Sequence, residues 1–224
     1  MKYQSETVIA LRRLAQWCWY ELLKDLIYIG AVLVYRIRYW GRGNIPRRGP
    51  ILMVANHQSH LDPPFIGAGC PRHINFLARQ TLFDIPVLGK IIATVNAIPL
   101  DREGVGLHGI KESLRRLKRG EGLMVFPEGT RTPDGEIAKF RPGFTALAVR
   151  TGAAIVPTAI EGAFQAWPRS QKYPGPSTVD VCYGPPLTAD DIKRLSERDL
   201  LEEVERRVRA CQAELRERRR AAGR

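Results

Sequence analysis

The residues best suited to chemistry lie in a short polar segment from Asn56 to Asp62. His57 and Asp62 are five residues apart across a turn, close enough for the carboxylate to accept a hydrogen bond from one imidazole nitrogen. The other ring nitrogen would then be free to take a proton, and the carboxylate would make the imidazole a stronger base. The pair therefore predicts general-base catalysis, although an ordinary turn in which Asp62 caps its helix fits the same residues.

Two other kinds of site use these residue types. A metal ion could be bound by His57, His60 and Asp62, but structural zinc usually has four protein ligands, and no matching Cys or His cluster occurs elsewhere. A serine hydrolase would need Ser59 on an exposed elbow of the type G-x-S-x-G, which the chain lacks. We therefore expect neither a metal ion nor a serine nucleophile.

The surrounding elements predict a strand, a turn and a helix. Ile51 to Ala55 is an unbroken apolar run, which predicts a buried strand, and Asp62-Pro63-Pro64 predicts a helix start with Asp62 as the N-cap. Strands and helices alternate further along the chain. This alternation predicts an α/β fold with a mostly parallel central sheet flanked by helices, and ligands bind at the carboxyl edge of such a sheet.

Three arginines follow predicted strands and would lie at the same edge of the sheet as His57: Arg79, Arg102 and Arg131. Guanidinium groups bind phosphate through paired hydrogen bonds. An imidazole base beside three arginines therefore predicts a reaction at a hydroxyl group next to a phosphate monoester.

The composition indicates an anionic partner. The formal charge is +12 at pH 7 and the pI is near 10.0, which fits nucleic acid, anionic lipid or a phosphorylated substrate. No zinc-finger spacing, RNP-type aromatic signature or basic region before a zipper is present, so we expect no nucleic-acid partner. The four scattered cysteines form no C-x-x-C motif and favour a reducing compartment.

Residues 1–40 are predicted to form a helical segment that binds the membrane surface. The apolar run from Leu26 to Tyr35 is shorter than the about 20 residues that span a bilayer, and acidic residues precede it. Aromatic residues and flanking arginines are typical of one or two helices lying in the interface, although a helix packed on the protein's own core fits the pattern as well. Because no secretory signal is evident, we expect a peripheral or monotopic protein on the cytoplasmic face of the cell membrane.

Two further regions complete the predicted organisation. Residues 41–187 would form the α/β core, and residues 188–224 an amphipathic helix with a basic tail. Thr188 is the predicted N-cap of that helix, and Arg216 to Arg224 is predicted to be solvated or disordered.

Four sequence blocks resemble those of the glycerolipid acyltransferase family, which includes the 1-acylglycerol-3-phosphate acyltransferases. Asn56-His57 with Asp62 is similar to the first block, and Phe126-Pro127-Glu128-Gly129-Thr130-Arg131 to the third. Ile98 to Arg102 matches the second block and Ile155-Val156-Pro157 the fourth. The resemblance covers roughly residues 40 to 185.

The resemblance implies that His57 is the general base and Asp62 its orienting partner. It also implies that Arg79, Arg102 and Arg131 bind the acceptor phosphate. Glu128 and Gly129 would shape the site for the acceptor glycerol. The family transfers a fatty acyl chain from acyl-CoA or acyl carrier protein to the free hydroxyl of lysophosphatidic acid (LPA), which gives phosphatidic acid. It uses no metal or other cofactor and forms no acyl-enzyme.

Mild departures from the family pattern leave the acceptor open. Asn96, Thr132 and Arg141 stand where Gly, Ser and Lys are usual, and Arg79 where Lys is usual. The alternatives are another lysophospholipid, glycerol-3-phosphate or an aminoacyl lipid. A non-catalytic basic protein that binds anionic lipid is the alternative from a different class.

Overall fold

A central sheet organises the computed structural model, which describes residues 6–100 and 107–223. Within these residues the sheet has seven strands: β1 (Arg38–Trp40), β2 (Ile51–Ala55), β3 (Ile74–Arg79), β4 (Ala97–Leu100), β5 (Gly122–Val125), β6 (Ala154–Glu161) and β7 (Asp180–Tyr183). Their order is β1-β7-β6-β2-β5-β3-β4. All neighbours pair in parallel except β6 and β7. The predicted α/β class with a mostly parallel sheet is confirmed.

The strand that precedes His57 lies in the middle of this sheet. Val54 of β2 is paired with Val125 on one side and Pro157 on the other, and all five residues of β2 are buried. A parallel strand covered on both faces needs apolar side chains in both directions, which explains its unbroken apolar sequence. Because β2, β3, β5 and β6 point the same way, the segments that follow them meet at one edge.

Helices cover both faces of the sheet. They are α1 (Glu6–Tyr35), α2 (Asp62–Gly69), α3 (Gln80–Phe83), α4 (Pro86–Thr94), α5 (Leu107–Lys118), α6 (Gly143–Thr151), α7 (Ala163–Ala166), α8 (Ala189–Lys193) and α9 (Glu197–Ala221). Met53 of β2 packs in a core cluster with Ala31 of α1 and Phe65 of α2. Val54 packs in another with Phe144 of α6 and Val204 of α9. Successive side chains of β2 therefore point alternately into the two core clusters, one on each face of the sheet.

The long helix α1 directs much of its apolar surface away from the core. Leu22, Leu26 and Leu33 are 51%, 56% and 76% exposed. The opposite side contacts the core through polar groups: Glu21 Oε1 lies 2.7 Å from His73 Nε2, and the Tyr20 hydroxyl accepts from the Ile74 backbone N–H at 3.1 Å. Among the described residues, no helix is long and apolar enough to cross a membrane.

Two local predictions are wrong. Arg38 to Trp40, within the predicted helical segment, forms the edge strand β1, which pairs in parallel with β7. The predicted disorder after residue 215 is wrong, because α9 continues as far as Ala221 and Arg216, Arg218 and Arg219 bind acidic groups; residues 217, 218 and 220–223 are exposed, as predicted. Arg216 pairs with Glu161, and Arg219 with the fully buried carboxylate of Asp180. Each of these segments is held by partners far away in the sequence.

Candidate active site

His57 and Asp62 form a hydrogen-bonded pair at the carboxyl end of β2. His57 Nδ1 lies 2.7 Å from Asp62 Oδ2, the Asp62 side chain is fully buried, and the His57 side chain is 20% exposed. An ionised carboxylate only accepts hydrogen bonds, so Nδ1 carries the proton and Nε2 is left as the basic nitrogen. Nε2 has no hydrogen-bond partner within residues 6–100 and 107–223, and it is available to an incoming hydroxyl group.

The Asp62 carboxylate organises its own loop. Oδ2 also accepts the backbone N–H groups of Gln58 and Ser59, at 2.6 and 2.7 Å. Helix α2 does begin at Asp62 and has proline in its first turn, but its N-cap is Leu61 and no side chain caps it. The predicted capping role of Asp62 is therefore wrong, and its carboxylate is used to orient the imidazole.

The segment after β5 surrounds His57. The His57 backbone N–H donates to Glu128 Oε1 at 2.7 Å, and its carbonyl accepts from the Thr132 N–H at 2.8 Å. The Phe126 ring stacks on the imidazole with 4.2 Å between centroids. Backbone and ring of His57 are thus fixed by residues about 70 positions later in the chain.

Glu128 is buried, and both of its oxygens are engaged by the protein. Oε2 accepts the backbone N–H of Ala138 at 2.8 Å, so the side chain joins the His57 loop to the segment around residue 138. Burial raises the pKa of this carboxyl, against the opposing effect of the two backbone N–H donors and of His57. The predicted contribution of Glu128 to an acceptor glycerol site stays a prediction.

Gly129 has a left-handed backbone, with φ of +72°, which favours glycine. A β-carbon at this position would also lie 3.3 Å from the guanidinium of Arg141. The absence of a side chain lets the chain turn tightly between Glu128 and Arg131.

Positively charged side chains lie near His57. Burial lowers the pKa of the half-buried Arg131, and the nearby charges of Arg169 and Arg79 lower it further. The pKa of His60 falls to about 4, first through burial and then through the charges of Arg131, His57 and Arg79. The structure thus brings two of the predicted arginines together and adds Arg169, which the sequence analysis missed. Arg102 lies outside the described residues.

A buried polar network behind the His57 loop was also missed. Gln58 Nε2 donates to the Gly135 carbonyl at 3.2 Å and to Glu161 Oε2 at 3.4 Å. Glu161, at the end of β6, also accepts from Gln212 Nε2 at 2.9 Å and from Arg216 Nε at 3.1 Å. Only the position of Gln58 next to His57 could have indicated this network.

Asn56 attaches the start of the same loop to β6. Its side-chain Nδ2 donates to the Ile160 carbonyl at 3.0 Å, and its Oδ1 accepts the Ile160 N–H at 2.8 Å. The amide therefore continues the β2–β6 ladder beyond the last strand residue. Within the described ranges, no group of three or more His, Cys, Asp or Glu side chains could hold a metal ion.

Comparisons with known proteins agree with this geometry. A family model described as Acyltransferase matches residues 36–161, more than half of the chain. The 1-acyl-sn-glycerol-3-phosphate acyltransferase of Pseudomonas aeruginosa is 34% identical over 182 residues, 78% of this chain and 66% of the relative. A Bacillus subtilis protein with the same name is 30% identical over 127 residues, 56% of this chain and 63% of the relative.

A solved structure is similar over most of both chains. It is the crystal structure of the 1-acyl-sn-glycerophosphate (LPA) acyltransferase PlsC from Thermotoga maritima, with a TM-score of 0.79 and 27% identity. The match covers 90% of this chain and 82% of that one. Among curated relatives the aligned part is smaller than two thirds: 66% of the Pseudomonas protein, 36% of one from Arabidopsis thaliana and 58% of one from Limnanthes douglasii.

Proposed function

This chain belongs to the acyltransferase family, and we propose that it transfers a fatty acyl chain from a thioester donor to the free hydroxyl of LPA, giving phosphatidic acid. The printed names of the relatives support this acceptor. The observation that carries the proposal is the His57–Asp62 pair, with Nε2 free, beside the cationic group that contains Arg131 and Arg79.

The chemistry follows from the state of the imidazole. The acceptor hydroxyl donates to His57 Nε2, which takes its proton as the oxygen attacks the thioester carbonyl. The resulting imidazolium is stabilised by the carboxylate of Asp62. The tetrahedral intermediate then expels the thiolate, which receives the proton from His57, so that an ester and a free thiol are formed.

The acceptor is oriented by its phosphate. Arg79 and Arg131 are placed to bind a phosphate monoester, and we assign the same role to Arg102 by family resemblance. Glu128 and Gly129 shape the adjoining wall for the glycerol, and Glu128 also holds the backbone of His57. With the phosphate bound at a fixed distance from Nε2, the free hydroxyl reaches the base in a reactive orientation.

The acceptor and the product are both lipids, which fits a protein at a membrane surface. The donor is acyl-CoA or acyl carrier protein, and no metal ion or other cofactor takes part. The exposed apolar side of α1, together with the charge of +12, supports peripheral or monotopic binding to an anionic membrane. We place the protein on the cytoplasmic face, where LPA and phosphatidic acid can exchange with the bilayer.

The test is thioester consumption by purified protein in detergent. Acyl-CoA and acyl carrier protein donors would be compared with LPA, glycerol-3-phosphate and a zwitterionic lysolipid as acceptors. We expect turnover with LPA, and His57→Ala should lower the rate by about two to four orders of magnitude, as loss of a general base does. His73→Ala is the matched control, because His73 precedes β3 at the opposite edge of the sheet, and it should keep most of the rate.

Three results would contradict the proposal. Near-normal turnover by His57→Ala would exclude His57 as the general base. Preference for another acceptor would show that LPA is not the substrate. Liposome binding without consumption of either donor would favour the non-catalytic lipid-binding alternative. Circular dichroism of both variants would exclude misfolding as the cause of a lost rate.

A further inference from the structure

The guanidinium groups of Arg79, Arg131 and Arg169 form a cationic cluster: the charges of Arg169 and Arg79 help to lower the pKa of Arg131, and those of Arg131 and Arg79 act on His60 as well. None of the three has a hydrogen bond or ion pair with another residue in the described part of the chain. The arginines on α9 behave differently: Arg206 and Arg209, for example, pair with glutamates of the same helix at 2.8 Å. Burial and the charges of Arg169 and Arg79 lower the pKa of the half-buried Arg131, and the Asp62 carboxylate opposes them only in part, so an anion bound here would be stabilised.

The segment Trp167–Arg169 is attached to the loop that carries His57. The Ser59 hydroxyl donates to the Trp167 carbonyl at 3.0 Å, and the Trp167 ring packs against the His60 ring with 5.2 Å between centroids. A turn follows, in which the Gln171 N–H donates to the Pro168 carbonyl at 3.1 Å. These contacts fix the backbone that carries Arg169 relative to the imidazole.

The charge of the cluster selects for a dianion. His60 lies among the same cations and, with a pKa of about 4, stays neutral near pH 7, so the arginines supply the positive charge. A phosphate monoester carries about −1.5 to −2 charges at pH 7 and has three free oxygens, enough for several guanidinium groups. A phosphodiester headgroup carries one charge and has two free oxygens, and it would leave part of the cluster unpaired.

We propose that Arg169 is a further arginine of the acceptor's anion site, beside Arg79 and Arg131, and that it makes this site selective for phosphate monoesters. The proposal rests on the proposed function and deepens it. Arg169 stands eight residues after residue 161, where the match to the family model ends. The residue is therefore a candidate determinant of acceptor choice that the shared motifs do not contain.

The experiment measures binding of LPA in detergent micelles without an acyl donor, by calorimetry. We expect Arg169→Gln to weaken LPA binding about tenfold, the usual loss for one charge-assisted hydrogen-bonding group, and to leave binding of a zwitterionic lysolipid unchanged. Arg169→Lys should keep part of the affinity that Arg169→Gln loses, because lysine carries the positive charge but lacks the paired N–H donors of a guanidinium. The matched control is Lys172→Gln, three residues further on, where the side chain lies over the Tyr173 ring; it should bind LPA as the wild type does.

Steady-state kinetics separate binding from a general structural effect. Arg169→Gln should raise KM for LPA about tenfold while kcat changes less than about threefold. Inorganic phosphate should inhibit the wild type competitively and the variant more weakly. Equal losses for both lysolipids, or a fall in kcat alone, would overturn the assignment, as would unchanged LPA binding. If the wild type bound LPA and lost affinity in Arg169→Gln but transferred no acyl group, the anion site would stand and the proposed function would fail.

Discussion

Glu128 joins two segments through hydrogen bonds, and replacing one of its carboxylate oxygens by an amide nitrogen tests this role. Its two oxygens accept the backbone N–H groups of His57 and Ala138, at 2.7 and 2.8 Å. An amide at this position would place an NH₂ group against one of these donors. A buried donor would then lose its acceptor, and the loop that carries the imidazole would lose a fixed contact.

Glu128→Gln is therefore expected to lower both stability and rate. The lost hydrogen bond should reduce the free energy of unfolding by about 1–3 kcal/mol, measured by urea denaturation, and misplacement of His57 should lower kcat about tenfold or more. Glu202→Gln is the matched control, since Glu202 is exposed and, among residues 6–100 and 107–223, forms an ion pair only with Arg198. Wild-type kcat in Glu128→Gln would show that this carboxylate does not position the base.

Helix α9 packs on the sheet and reaches the polar network behind the His57 loop. Its buried residues Leu200, Val204, Val208 and Leu215 pack on the sheet, and the next polar layer is formed by Gln212 and Arg216. Both donate to Glu161, and Glu161 accepts in turn from Gln58, the residue after His57. The helix thus supports the His57 loop through Glu161, which lies 51 residues before Gln212 in the chain.

Gln212→Ala tests this support. The buried Glu161 carboxylate would lose its shortest hydrogen bond, which should cost about 1–3 kcal/mol of stability and lower kcat about threefold to tenfold through the Gln58 contact. Arg206→Ala removes an exposed pair on the same helix and should change stability by less than about 1 kcal/mol. The measurements are urea denaturation and kcat with saturating donor. Loss of stability without any change in kcat would show that α9 stabilises the fold but does not affect the active-site loop.

For the molecule as a whole, most of the large exposed apolar side chains in the described residues lie on α1 and in and around α4. The two helices are joined by a hydrogen bond of 2.9 Å from Trp19 Nε1 to Thr94 Oγ1. Val87 of α4 is 71% exposed, comparable with the leucines of α1. Contiguous exposed apolar surface of this kind is typical of contact with a membrane or another protein, and the proposed lipid acceptor favours the membrane.

We expect the double variant Leu22→Gln, Leu26→Gln to bind anionic liposomes several-fold more weakly, because two apolar side chains would no longer enter the interface. Co-sedimentation with vesicles is the measurement. The control is Val149→Gln on α6, which is 59% exposed and belongs to the helix layer on the other face of the sheet. Equal binding by the double variant and the wild type would exclude α1 as the membrane contact.

Short-range patterns in the sequence were sufficient for most elements and for the central chemical pair. The apolar run from Ile51 to Ala55 matches β2, and α2 begins at Asp62 with proline in its first turn, as predicted. Thr188 is an N-cap, but of the short helix α8, whereas the long C-terminal helix α9 begins separately after its own N-cap, Ser196. His57 and Asp62 are only five residues apart, so the turn between a strand and a helix is enough to bring them together. Periodicity, caps and short loops are local properties, and local properties can be inferred from the residues alone.

Only the tertiary structure decided which distant segments meet at that turn. The strand β1 depends on pairing with β7, about 140 residues later, and the Arg216 side chain is ordered by Glu136 and Glu161. Glu128 bonds the backbone of His57 directly, Gln212 acts on the loop through Glu161, and the charge of Arg169 acts on Arg131. Their roles depend on long-range hydrogen bonds and charge proximity, which have no period or spacing in the sequence. The sequence by itself therefore determined the pairing of His57 with Asp62, and the fold determined which distant segments hold that pair in place.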